Sequence, residues 1–227
     1  MDHAAPRILP LGESAVVVEF GRVISEDLNR KATGLARYLA EDPFQGFVEA
    51  VPAYASTTVF FDPEIVRGRK DRGDAVLDTV AAEIASALER LTLTDTEPGS
   101  VIEIPANFDA VCGPDLGLVA AESGMPIERV VELFVSTVYR VFMIGFLPGF
   151  AYMGEVDESI ALPRKQQPRQ SVPKGSIGIA GRQTGIYPLE SPGGWQLIGR
   201  THVELFTPDG DRPTLLKPGD LVRFVPV

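Results

Sequence analysis

The fold is decided by Tyr139-Arg140-Val141-Phe142-Met143-Ile144-Gly145-Phe146-Leu147-Pro148-Gly149-Phe150-Ala151-Tyr152 and two stretches downstream of it. These are Pro173-Lys174-Gly175-Ser176-Ile177-Gly178-Ile179-Ala180-Gly181-Arg182-Gln183-Thr184-Gly185-Ile186-Tyr187-Pro188 and Ser191-Pro192-Gly193-Gly194-Trp195-Gln196-Leu197-Ile198-Gly199-Arg200-Thr201. Between Gly145 and Gly199 stand 10 of the chain's 22 glycines, separated by short β-forming runs at 176–180 and 195–198. Glycine so placed marks turns and close backbone approaches in a compact all-β unit, not a flexible linker. The interleaved aromatics Phe146, Phe150, Tyr152, Tyr187 and Trp195 exclude disorder, which lacks such residues.

Upstream of this stretch, Val101-Ile102-Glu103-Ile104-Pro105 reads as a strand, followed by two short helices over 114–123 and 126–137. Pro114 sits at a first-turn position of the first helix, and Gly124 suits its C-terminal cap. A helix pair with a tight glycine turn resembles a DNA-binding motif. The second helix, however, offers Glu128, Arg129, Glu132 and Ser136, which cannot neutralise phosphates. From Val138 onward β dominates, with final strands expected at 203–206 and 219–225. Many short strands with regular turns predict a closed barrel over 101–227.

The N-terminal part reads differently. Apolar runs around Gly12-Glu13-Ser14 predict a hairpin, and Ser25 precedes a helix whose Leu28, Ala32, Leu35 and Leu39 form one stripe. Strands are expected at 47–54 and 57–61, then a second helix capped by Asp74, with Val80, Ile84, Leu88 and Leu91 on its apolar face. Two helices with one stripe each imply a single antiparallel sheet covered on one face. The fold class is therefore α+β. A small α/β N-terminal domain occupies residues 1–92, a polar linker closed by Pro98-Gly99 occupies 93–100, and the barrel occupies 101–227.

Composition narrows the function. The net charge of -10 opposes a nucleic-acid or membrane-surface partner. The one basic run, 67–72, is short and flanked by acids, as a solvated loop would be. The single cysteine, Cys112, excludes an intrachain disulfide framework and a cysteine-based zinc site. No apolar run approaches the ~20 residues of a membrane span. The first residues lack the basic and apolar regions of a signal peptide, so a reduced cytoplasm is expected.

Catalytic chemistry is thinly represented. His3 lies near the terminus, and His202 reads as a structural or surface residue on a short strand, beside Glu204 and Phe206. Cys112 has no suitable histidine and reads as inert. Lys174-Gly175-Ser176 lacks the leading glycine of a phosphate loop and runs into a strand, so amides at a helix start cannot operate there. No cluster has metal-ligand spacing, and no metal site is expected. What remains is anion recognition. Arg164, Lys165, Arg169, Lys174, Arg182 and Arg200 fall in the glycine-lined β region of an acidic chain, with Gln183, Thr184, Tyr187 and Ser191 as neutral hydrogen-bonding groups. An arginine fork grips a carboxylate or phosphate at two points, and glycines such as Gly193 and Gly194 let backbone amides approach it. Each of these cations could instead balance a neighbouring acid.

The octapeptide 145–152, the prolines and arginines at 163–173, Gly178-Ile179-Ala180-Gly181, 183–188 and Ser191-Pro192-Gly193-Gly194-Trp195 closely resemble one family. It is that of the B subunit of prokaryotic 5-oxoprolinase, also called allophanate hydrolase subunit 1 or KipI. Gly113-Pro114-Asp115-Leu116 and Pro218-Gly219-Asp220 extend the resemblance over most of the chain. It implies a cyclophilin-like barrel and obligate partners: the C subunit of 5-oxoprolinase, with a related barrel, and the A subunit. Together they would open 5-oxo-L-proline to L-glutamate with hydrolysis of ATP, bound at the level of the complex. The small anion would be held by Arg164, Arg169 or Arg200, and oriented by Gln183, Thr184, Tyr187, Ser191, Gly193 and Gly194. Two other activities occur among such proteins, inhibition of a sensor histidine kinase and carboxyl transfer of the allophanate hydrolase or urea carboxylase type. Phe134 stands where the family often has histidine, and Phe108 where it often has tyrosine.

Overall fold

The computed structural model describes residues 5–68, 75–91 and 101–227. His3, the Asp74 cap and the expected linker at 93–100 lie outside the described residues. The chain divides into two compact units, Met1–Glu97 and Pro98–Val227.

The first unit runs β1 (Arg7–Pro10), β2 (Ala15–Glu19), α1 (Glu26–Glu41), β3 (Phe47–Pro52), β4 (Ser56–Phe61), α2 (Pro63–Arg67) and α3 (Val76–Arg90). Its sheet has the order β1-β2-β4-β3 and is antiparallel throughout. Leu28, Ala32, Leu35 and Leu39 of α1 and Val80 and Ile84 of α3 pack with Val16, Val18, Val59 and Phe61 of the strands. That is the expected arrangement of two striped helices on one sheet. Ser25 precedes α1, but its side chain makes no capping hydrogen bond. The sequence reading missed the short helix α2. The Asp62 carboxylate accepts from the Glu64 and Ile65 amides, and Pro63 fills the first turn.

The second unit begins with β5 (Val101–Ala106), α4 (Leu116–Ser123) and α5 (Ile127–Ser136), with Gly124 in the left-handed conformation at the end of α4. There follow β6 (Tyr139–Ile144), β7 (Ala151–Gly154), β8 (Arg169–Val172), β9 (Ser176–Ala180), β10 (Gln183–Ile186), β11 (Ser191–Gly193), β12 (Gln196–Arg200) and β13 (Leu221–Pro226). Seven strands form one sheet, in the order β12-β9-β10-β7-β6-β13-β5. Its two ends meet at an antiparallel bridge between Asn107 and Arg200, whose backbones exchange hydrogen bonds of 2.8 and 2.9 Å. The barrel is thus nearly closed. β8 and β11 form a separate two-stranded ribbon.

The expectation of a strand at 203–206 is corrected. Only Phe206 forms a bridge, to Thr214, and the segment instead packs its Leu205 carbonyl and Phe206 against the Gly149 turn. Strand alternation therefore does not place His202, which is exposed. Phe134 and Phe108 belong to the barrel interior. The Phe134 ring stacks on Phe224 with centroids 5.0 Å apart and meets Phe108 edge-on at 5.9 Å.

Period-two alternation sorts the strand residues into two groups. Ala151, Met153, Ile177, Ile179, Ile186 and Ile198 fill the barrel, as side chains do in small barrels. Phe150, Val172, Ala180, Tyr187, Trp195 and Leu197 form a second cluster, with Tyr152 packed against it. The candidate site is built on this second cluster.

Candidate functional site

Five aromatic rings make the floor and lip of a cleft. Phe150 is the hub, edge-on to Tyr152 (4.8 Å), Tyr187 (5.2 Å), Trp195 (5.5 Å) and Phe146 (5.6 Å). The rings lie close to the barrel wall because glycines underlie them. A Cβ on Gly185 would come within 2.8 Å of the Phe150 ring, and one on Gly193 within 2.9 Å of the Tyr187 ring. The resulting cleft encloses about 160 Å³. Arg164, Pro168, Pro192, Gly193 and Gly194 complete its lining. Phe146 stands exposed at the rim with φ 69°, a left-handed conformation that costs a residue with a Cβ about 1–2 kcal/mol. Such strain is often concentrated at ligand clamps.

Four of the nine expected site residues line this cleft: Arg164, Tyr187, Gly193 and Gly194. The other five are engaged elsewhere. Arg169 donates to the Asp115 carboxylate at 2.7 Å. Arg200 donates through Nε to the Lys174 carbonyl at 2.9 Å. Thr184 is buried and donates to the Gly178 carbonyl, while Ser191 donates to the Pro192 carbonyl. Gln183 opens β10, opposite Gly154 and Ala180. Of the three arginines named as alternative holders of the anion, Arg164 is the one that lines the cleft. The remaining cations of the set balance acids: Lys165 pairs with Asp115, Lys174 with Glu204 and Arg182 with Glu155. Among the described residues Arg164 makes no ion pair, so its guanidinium is free for an anion.

The electrostatics agree. Burial pushes the Tyr152 and Tyr187 phenols up, and the Arg164 charge acts on both in the opposite sense. Both phenols therefore stay protonated near neutral pH and can donate. Cys112 does not contribute a nucleophile. Burial, reinforced by the neighbouring Asp109 carboxylate, pushes its thiol up. Among the described residues no group of His, Cys, Asp and Glu could hold a metal ion. The arrangement is an aromatic slot with one guanidinium in its lining.

Beneath the slot is a polar cluster that sequence reading did not find. The Asp115 carboxylate, at the start of α4, is 5% exposed. Its Oδ1 accepts from Lys165 Nζ at 2.8 Å and Arg169 Nη2 at 2.7 Å, and its Oδ2 from the Leu197 amide at 2.7 Å. Burial alone would raise this carboxyl, but the hydrogen bonds from Arg169, Lys165 and Leu197 outweigh it and hold it below the usual carboxylate range. Nothing local in the sequence links Asp115 to cations 50 and 54 residues away. The aromatics carried a signal in their interleaving with glycine, but their convergence required the strand register.

A slot of this kind on a nearly closed barrel narrows the class of protein, and the comparisons fix the family. Residues 6–216 match the family described as carboxyltransferase domain, subdomain C and D. The 5-oxoprolinase B subunit of Bacillus subtilis is 41% identical over 220 residues, covering 96% of this chain and 92% of that protein. That of Escherichia coli O157:H7 is 42% identical over 220 residues, covering 95% and 94%. The chain belongs to the family of 5-oxoprolinase B subunits. A longer crystallised protein matches 94% of this chain with 39% identity and TM-score 0.79, the chain spanning 40% of its length. The urea carboxylase of Kluyveromyces lactis covers 98% of this chain at TM-score 0.75 and 19% identity, the chain spanning 22% of it, a likeness of fold alone.

Proposed function

We propose that this chain is the B subunit of an ATP-dependent 5-oxoprolinase and that its aromatic slot receives 5-oxo-L-proline. The observation that carries this reading is Arg164, without an ion pair among the described residues, above the Phe150, Tyr152, Tyr187 and Trp195 floor. The substrate is a small ring with a single carboxylate. Its carboxylate suits the Arg164 fork, its ring suits the aromatic faces, and its lactam suits the Tyr152 hydroxyl and the Gly193–Gly194 backbone. The likeness to B-subunit proteins over nearly their whole length supports the same reading.

The chemistry explains why partners and ATP are needed. An unstrained lactam resists water. In this proposal the γ-phosphoryl group of ATP passes to the lactam oxygen, with ADP leaving. Water then adds to the activated carbon and the ring C–N bond breaks onto nitrogen, leaving γ-glutamyl phosphate; a second water cleaves this acyl phosphate, so that phosphate departs and L-glutamate remains. Two waters are consumed in all, and the ring nitrogen ends as the ammonium. The chain's own part is positioning: it holds the carboxylate and shields the ring from bulk water. ATP and the remaining groups come from the complex with the A and C subunits, in the cytoplasm.

The test is reconstitution. The three co-purified subunits release phosphate only when 5-oxo-L-proline is present, and the Arg164→Ala variant needs a roughly thirty-fold higher concentration of it for the same rate. Folded, assembled subunits that release none with substrate would refute the reading.

A further inference from the structure

We infer that Asp115 is a positioning residue of the slot, locking two segments of its lining together without touching what binds there. One segment carries Arg164 and Pro168, and the other Pro192, Gly193, Gly194 and Trp195. The two are neighbours, with Arg169 of β8 paired with Gly193 of β11. Asp115 holds both. Through Lys165 and Arg169 it grips residues that follow Arg164 and Pro168 directly. Through the Leu197 amide it grips β12 two residues after Trp195. Cross-ties complete the frame: Arg169 Nη1 reaches the Trp195 carbonyl at 3.4 Å, and the Lys165 amide donates to the Gly194 carbonyl at 2.7 Å. Gln196 donates to the Pro163 carbonyl at 2.9 Å while accepting from Lys165 at 3.3 Å.

Charge and burial say why this is more than a surface salt bridge. One carboxylate faces two cations whose side chains are 26% and 25% exposed, so neither the acid nor its partners can turn to bulk water without opening the frame. The cluster leaves a surplus positive charge beside Arg164, which favours an anionic occupant. A buried hub with three partners on two segments fixes where each segment stands in the lining. Displacement of a positioning group by about 1 Å can cost up to about a hundred-fold in a reaction that depends on orientation.

This inference rests on the slot being the 5-oxo-L-proline site, but one arm of its test does not. Trp195 is the only tryptophan of the chain, so its fluorescence reports the slot directly. In the full chain, Asp115→Asn is expected to increase iodide quenching of Trp195 and to speed amide hydrogen exchange at 163–169 and 193–197, while exchange in the first unit stays unchanged. Lys165→Met, which leaves the Asp115–Arg169 pair intact, should loosen 163–169 alone and serves if the first variant folds poorly. In the reconstituted complex, Asp115→Asn should weaken KM for 5-oxo-L-proline about ten-fold. It should have a smaller effect on KM when Arg164 is already alanine, because Asp115 acts in part through Arg164. Unchanged quenching and exchange in both variants overturn the positioning role. An equal KM loss with and without Arg164 also overturns it. Altered quenching and exchange in a complex indifferent to 5-oxo-L-proline would keep the role of Asp115 and remove the substrate assignment.

Discussion

Of six cations that the sequence brings together, five are engaged by an acid or a carbonyl, and Arg164 is the one that lines the slot. Its contribution is therefore separable. Arg164→Ala should weaken binding of 5-oxo-L-proline by about 2 kcal/mol, roughly thirty-fold, the ordinary worth of a charge-assisted hydrogen-bonded pair. Arg164→Lys should recover only part of it, since a lysine keeps the charge but loses the planar fork. Titration of Trp195 fluorescence measures both. Asp115 makes a prediction in pH. Its native carboxyl lies below the usual range, so its stabilisation is present above about pH 4, the ordinary aspartate value, and is lost as pH falls through the lower native value. Melting temperatures followed from about pH 6 to about pH 2 should show this loss in the wild type and a shallower slope in Asp115→Asn.

At the scale of elements, the barrel depends on backbones brought closer than side chains allow. Gly175, in the turn before β9, has φ +80°, and a Cβ there would fall 2.0 Å from the Thr201 carbonyl, against the segment that follows β12. Gly181, between β9 and β10, has φ +58° with open space around it. The two positions separate strain from clash. Gly181→Ala should cost about 1 kcal/mol, the penalty of a left-handed Cβ, whereas Gly175→Ala should cost about 3 kcal/mol or more because backbone cannot move aside as a side chain can. Urea midpoints at constant slope decide it. The elements were legible wherever local chemistry sets them. The stripe of Leu28, Ala32, Leu35 and Leu39, the Gly124 cap and the strand through Gly178 all stand as read. The sequence misled at 203–206, where alternation suggested a strand but the backbone pairs with the 213–215 segment only around the single Phe206–Thr214 bridge. It was silent on α2, although Asp62-Pro63 was a legible start.

Among the described residues each unit has its own apolar core. Every residue of the first core lies between Ile8 and Leu91, and every residue of the barrel core and of the outer aromatic cluster lies between Ile102 and Phe224. All cleft residues belong to the second unit. This explains how much of the site was legible. Arg164, Tyr187, Gly193 and Gly194 could be nominated because glycine, aromatic and cation types are unusual together. Arg169 could not be separated from Arg164 by type, since only the register of β8 against β11 and the position of α4 bring Asp115 beneath it. Self-contained cores also yield a prediction about the unit as a whole. The segment Pro98–Val227, produced alone, should unfold in one cooperative transition, because a domain of this size with its own core can bury enough surface to be stable. Its Trp195 fluorescence should respond to 5-oxo-L-proline with the affinity of the full chain. A segment that folds cooperatively but has lost the response would mean that residues of the first unit, or of a partner, complete the slot. A matching response would place the binding determinants in the barrel unit and leave the first unit free for another task.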